Sequence, residues 1–187
     1  MLSQLFFGMA MVCCVAAVIY IVIRLVICAV KHKKFVLKKE IPIILFVAYC
    51  VGLFFATIPI YSVLHYGNHI MINGVYHSVN LIPFKQITGY IIRRDSIGEI
   101  SFANLVGNIL LFAPMGFLLP VIFKKMKKMP AAVLTGAVVS TCIEATQYLF
   151  GRSADIDDVI LNTVGTLLGF LLYLVIKAIT KKWLFFL

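Results

Sequence analysis

Residues 124–169 read KKMKKMPAAVLTGAVVSTCIEATQYLFGRSADIDDVILNTVGTLLG. Four lysines come first, then an apolar run, then one arginine with three aspartates, then a second apolar run. Each run is close to the ~20 residues that cross a hydrocarbon core as a helix. Charge is confined to the connections. A backbone inside lipid must satisfy its own hydrogen bonds, so such runs become helices. The alternation therefore predicts two antiparallel membrane-spanning helices, with a basic turn at one end and an acidic turn at the other.

The same pattern continues outward from this stretch. Five spans are expected, at 5–30, 42–64, 103–123, 131–150 and 159–179, within one membrane domain of 187 residues. Charged residues make up 13% of the chain and hydrophobic residues 63%, where a soluble domain carries about 25% charge. Mean hydropathy is +1.06. The expected fold is an all-α polytopic membrane bundle, with no room for a soluble domain. The start MLSQLFFGMA lacks the basic residues and the small-residue cleavage site of a signal peptide, so the first run is expected to be retained. Cys13, Cys14, Cys28, Cys50 and Cys142 all fall in apolar runs without a C-x-x-C pair. They are expected to be small buried hydrophobes rather than disulfides or metal ligands.

Charge sets the expected orientation. Twelve lysines lie in KHKKFVLKKE, in KKMKKMP and in the C-terminal stretch, and Arg24 can snorkel to the same side. Only Lys85, Arg93, Arg94 and Arg152 lie on the other side. Cytoplasmic loops carry the Lys/Arg excess, so the N-terminus is expected outside and the C-terminus inside. Asp95, Glu99, Glu144, Asp155, Asp157 and Asp158, six of the seven acids, then face outward. The net charge of +10 becomes a topology signal and a contact for anionic lipids, and no nucleic-acid partner is expected. In NLIPFKQITGYIIRR (80–94), Phe84, Ile87, Thr88 and Ile91 share one helical stripe, with Lys85, Arg93 and Arg94 off it. A short helix on the outer interface is expected there, the alternative being a plain solvated loop. Tyr61, Tyr66, Tyr76 and Tyr90 suit a headgroup zone. His65 and His69 have the spacing of a zinc pair but no completing ligand nearby, so neither a metal nor another cofactor is expected.

Polar residues inside the last three spans mark a candidate site. Asn104 and Asn108 lie one turn apart on the third span. Glu144 and Gln147 lie near the far end of the fourth, and Asp158 and Asn162 start the fifth. If the three spans pack together, these residues build one polar pocket open to the outside. An intramembrane carboxylate is costly and by default faces the bundle interior and marks function, which singles out Glu144. The plainer reading makes Glu144 and the asparagines interhelical hydrogen-bond glue. Asp155 can cap the fifth span with Asp158 as its capping-box partner, and carboxylates there suit the helix dipole. Capping alone does not require Arg152, Asp155, Asp157 and Asp158 within so short a stretch. Gly165 and Gly169 in GTLLG form a helix-packing motif, and Pro114 and Pro120 are expected to bend the third span.

NLIPF, NLVGNILLFAPMGFLLP and STCIEATQYLFGRSADIDDVILNTVGTLLG together resemble the VanZ-like family of bacterial membrane proteins. The resemblance spans residues 80–169 in the family's order and spacing. It implies that Asn80, Pro83, Phe84, Asn104, Asn108, Pro114, Gly116, Glu144, Gln147, Arg152, Asp155, Asp157, Asp158, Asn162 and Gly165 occupy the family's positions. The family is named for a protein associated with teicoplanin resistance in Gram-positive bacteria, which implies a multi-pass protein of the bacterial plasma membrane.

Two classes of function follow. One is a non-enzymatic protein whose outward polar pocket binds a lipid-linked cell-wall component or a lipoglycopeptide. Glu144, Asp157 and Asp158 would contact cationic or hydroxyl groups, and Arg152 an anion or the carboxylates. The other is an intramembrane enzyme acting on a lipid-linked envelope substrate. It would use Glu144 and Asp158 as general acid and base, with a divalent cation on Asp157 and Asp158. No G-x-S-x-G, H-E-x-x-H or P-loop accompanies it. A transporter is disfavoured by the short chain and by the lack of an inverted repeat.

Overall fold

The computed structural model describes residues 2–32, 34–57, 79–92, 94–150 and 152–180. Helix α1 spans Leu2–Val30 and α2 spans Leu37–Thr57. Further along the chain come a two-residue strand β1 (Val79–Asn80), α3 (Lys85–Ile92) and α4 (Arg94–Ile122). A single 3-10 turn (Lys124–Lys127) leads into α5 (Met129–Leu149). Strand β2 (Ala154–Asp155) and α6 (Ile156–Ile179) complete the fold. Among the described residues, five helices are long and apolar enough to cross a membrane, at Gly8–Val30, Leu37–Thr57, Ala103–Ile122, Met129–Leu149 and Ile156–Ile179. The expected all-α bundle is what the chain forms, with one addition, a parallel β1–β2 pairing that joins Val79 to Ala154 and Asn80 to Asp155.

Boundaries differ where hydropathy is a poor guide. Helix α4 begins at Arg94, ahead of its apolar span at Ala103, because a helix need not stop at the bilayer surface. At 29 residues it is about 44 Å long, whereas the hydrocarbon core is ~30 Å thick. The short helix expected after NLIPF exists as α3. Residues 58–64 of the expected second span, Tyr61, Tyr66, Tyr76 and the histidines His65, His69 and His77 lie outside the described residues.

The chain divides into two compact units, one of Met1–Thr57 with Ile176–Leu187 and one of Ile58–Val175. In the first, α1 and α2 pack together across a short turn. His32 closes α1 in the left-handed region at φ 49°, a conformation more open to His than to branched residues. Arg24, expected to snorkel toward the lysine-rich side, has a partner that sequence reasoning did not name: its Nε lies 2.7 Å from Glu40 Oε1, and the Tyr20 hydroxyl donates to Glu40 Oε2 at 2.6 Å. Glu40 is only 3% exposed. Tyr20 and Arg24 are one turn apart on α1, so one face presents both donors to the first turn of α2. An apolar surround makes pairing far cheaper than leaving this carboxylate alone.

In the second unit, α4 and α6 approach backbone to backbone. A Cβ at Gly116 would overlap the Thr166 carbonyl, one at Gly165 the Ile109 carbonyl, and one at Gly169 the Ala113 carbonyl. Small residues at such crossings let helices pack closely in lipid. Gly136 on α5 likewise faces the Thr166 side chain. The buried face of α5 is Ala132, Gly136, Ser140, Glu144 and Gln147, whereas Leu134, Val138 and Leu149 are exposed. Small and polar residues therefore face the protein while large apolar ones face outward.

That inversion corrects the reading of the cysteines. All five are free, but only Cys28 is buried; Cys14 and Cys142 are exposed. In a membrane helix the outer face is itself apolar, so a small hydrophobe needs no burial.

Candidate functional site

The polar residues of the second unit gather where α6 begins. Asp155 directly precedes this helix. Its Oδ1 accepts the Asp157 N–H at 2.9 Å, the bond of an N-cap side chain. The reciprocal arm comes from another helix. Glu144 Oε2, on α5, accepts the Asp155 N–H at 3.0 Å. Asp158, the expected capping-box partner, does not fill this role. It turns to α4, where Asn108 Nδ2 donates to its Oδ1 at 2.7 Å. A cap arm drawn from α5 ties two helices together, which a local one would not.

Asp157 points into the protein and has no exposed surface. Its Oδ1 accepts the Phe84 N–H at 2.5 Å, and its Oδ2 accepts those of Gln86 and Ile87 at 2.7 and 3.1 Å. These are N–H groups at the start of α3, which have no partner within the helix. One carboxylate thus caps α3 while belonging to α6. Asn80 adds a second tie, its Nδ2 donating to both Asp155 oxygens at 3.0 and 3.1 Å. Phe84 itself sits at φ 64°. A non-glycine residue held there costs about 1–3 kcal/mol and persists only where its surroundings over-determine it. Here three charge-assisted bonds do so.

Deeper in the bundle, Asn162 Nδ2 donates to Ser140 Oγ at 2.8 Å, joining α6 to α5. The Thr166 hydroxyl donates to the Asn162 carbonyl at 3.0 Å. Asn162 is 4% exposed, and its Oδ1 has no partner among the described residues.

The structure therefore brings together Asn108, Glu144, Asp155, Asp157, Asp158 and Asn162, on three helices and one turn. Gln147 is buried, and its carbonyl accepts the Phe150 and Arg152 N–H groups, closing the end of α5. The Arg152 side chain is exposed, and its positive charge acts on both Glu144 and Asp158. Asn104 stands apart. It is exposed, one turn from Asn108, and joins none of these hydrogen bonds among the described residues. Asp158 and Asn162, expected to face the same way, engage α4 and α5 respectively. Sequence reasoning on the site missed Ser140 and the backbone of 84–87. Ser140 was findable, since it lies one turn from Glu144 on the small-residue face of α5. Backbone N–H groups leave no trace in a sequence.

The arrangement is a cluster of four carboxylates with a basic side chain at its edge, closed by short hydrogen bonds. Asp157 and Asp155 are spent on architecture. Glu144 and Asp158 each have one oxygen engaged by a described partner, which leaves each a second oxygen for a donor group.

Comparison with known proteins follows the same residues. The family model described as VanZ/LLP1 matches residues 43–177. Protein VanZ of Enterococcus faecium is 39% identical over 101 residues, covering 52% of this chain and 55% of that protein. The chain thus spans about half the length of the curated relative it matches. No solved structure matches the chain.

Proposed function

The chain belongs to the VanZ/LLP1 family, and from that premise we propose that it is a cell-envelope protein of the bacterial plasma membrane that confers low-level resistance to teicoplanin-type lipoglycopeptides. It acts as a binding protein at the outer leaflet. The lysine-rich turns face the cytoplasm, and the acidic turn before α6 faces outward. There Glu144, Asp158 and Arg152 engage a lipid-linked cell-wall component or the lipoglycopeptide itself. The supporting observation is that Glu144 and Asp158, from two different helices, each keep an oxygen beyond its one described hydrogen bond, beside exposed Arg152. Teicoplanin carries an acyl chain and vancomycin does not, so a membrane-level site discriminates between them.

The test is the inhibitory concentration of both antibiotics for a susceptible Gram-positive host expressing wild type or Glu144→Gln at matched membrane levels. The reading expects teicoplanin protection by wild type, little change for vancomycin, and loss of protection in Glu144→Gln. Equal shifts for both antibiotics would sink the lipid-selective version.

A second reading makes Glu144 and Asp158 the general acid and base of an intramembrane enzyme acting on a lipid-linked substrate. The observation in its favour is that Glu144 accepts the Asp155 N–H, three residues before Asp158, which brings the two carboxylates to one turn from adjoining helices. It expects altered lipid-linked precursors in membranes of expressing cells. An unchanged precursor profile with the resistance intact would remove it.

A further inference from the structure

We infer that the tip of the loop before α3, Leu81, Ile82 and Phe84, is an apolar wedge inserted into the acyl-chain border of the bilayer, and that Asp157 is the positioning residue that holds it there. Leu81 is 73% exposed, Ile82 61% and Phe84 57%. Three large apolar side chains so close together on an ordinary loop would be an aggregation liability in water. None of them belongs to a spanning helix, so span formation does not account for them.

The tip is rigidly presented. On one flank, β1 pairs with β2, Asn80 Oδ1 accepts the Ile82 N–H at 3.3 Å, and Asn80 Nδ2 holds Asp155. On the other, Asp157 holds the N–H groups of Phe84, Gln86 and Ile87. Phe84 is kept at positive φ, a backbone cost accepted to aim an aromatic side chain away from the protein.

Depth and charge identify the occupant. Every anchor of the loop lies in β2 or the first turn of α6, where a membrane-spanning helix starts. That level is the interface between headgroups and acyl chains. Exposed Lys85 follows Phe84 directly, which places a cation beside the apolar tip as an interfacial segment requires. Large apolar side chains are exposed on the spans as well, Leu134, Val138 and Leu149 on α5 among them, so lipid rather than a protein groove is the partner that fits the tip. The tip is anchored on Asp155 and Asp157, and whether it lies in lipid does not depend on what Glu144 and Asp158 bind.

The test uses full-length protein with its one tryptophan removed (Trp183→Phe) and Leu81→Trp introduced. The protein is reconstituted in phosphatidylcholine–phosphatidylglycerol vesicles. Lipid brominated near the glycerol end of the acyl chain should quench the fluorescence of the introduced indole. The extent should match that of a Val138→Trp reference on the exposed face of α5 under its best-placed bromines. Aqueous iodide should quench little. Adding Asp157→Asn should weaken the bromine quenching and raise the iodide quenching. Strong iodide quenching without bromine quenching would overturn the wedge, and so would shielding from both quenchers, which would mean that protein covers the tip. Unchanged bromine quenching in folded Asp157→Asn protein would overturn the positioning role. Should Asp157→Asn fail to fold, Leu81→Trp alone still decides whether the tip lies in lipid.

Discussion

Replacing Asp157 by alanine should release the 79–92 segment while leaving the helices in place. The carboxylate accepts three backbone N–H groups, each bond to a charged group contributing roughly 1.5–3 kcal/mol. The three bonds share one carboxylate and are not additive, and the strain at Phe84 is common to the closed state of both variants, so the loss comes to that of one such bond, ~1.5–3 kcal/mol. At a factor of ten per ~1.4 kcal/mol, opening should become about 10- to 150-fold more frequent. Hydrogen exchange with mass spectrometry, on protein in nanodiscs, reads this directly. Peptides covering 80–92 should lose protection by that factor, while α4 and α5 peptides should not change. Asp157→Asn should be intermediate. Its one remaining carbonyl oxygen can serve Gln86 and Ile87 but leaves Phe84 N–H facing an amide group. Protection indistinguishable from wild type in Asp157→Ala would refute the clasp, and uniform loss across all helices would show a global rather than a local role.

Three further outcomes test the packing and the cap. Gly169→Ala should lower the thermal midpoint in detergent, since its Cβ meets the Ala113 carbonyl and overpacking costs about 1–3 kcal/mol. Gly107→Ala, with open space around it, should be neutral or stabilising by up to ~1 kcal/mol. Glu144→Gln should retain the fold because a carbonyl oxygen still accepts the Asp155 N–H, whereas Glu144→Ala should cost about 1–3 kcal/mol by orphaning it; the two midpoints separate cap from charge. In the first unit, Glu40→Ala should destabilise α1–α2 packing, while the double change Arg24→Met with Glu40→Leu should restore much of the loss; equal losses in both would show that the pair is not what joins these helices.

That the long apolar runs form helices was legible, because the length of such a run is set by bilayer thickness; where the helices begin was less so, since α2 starts at Leu37 and α4 at Arg94. The packing role of GTLLG was legible because only small residues allow the backbone approach seen at Gly165 and Gly169. The membership of the polar cluster was legible in part, since i,i+4 spacing puts Asp158 and Asn162 one turn apart on α6, whereas Ser140 was missed and only the fold joins it to Asn162. What the residues do was less so. Asp155, Asp157 and Asp158 look interchangeable as letters, yet one caps α6, one caps α3 and one holds α4.

By itself, then, the sequence determined that the chain forms long apolar helices, five of them among the described residues, with three aspartates gathered at one turn. That follows from local quantities, run length, charge placement and helical periodicity, which need no partner to be defined. Only the tertiary structure decided which carboxylate is spent on architecture and which has an oxygen beyond its described hydrogen bond. A hydrogen bond depends on the position of both its atoms, and here the partners lie 11, 50 and up to 75 residues apart. Several of them are backbone N–H groups, which every residue but proline carries and no residue letter distinguishes.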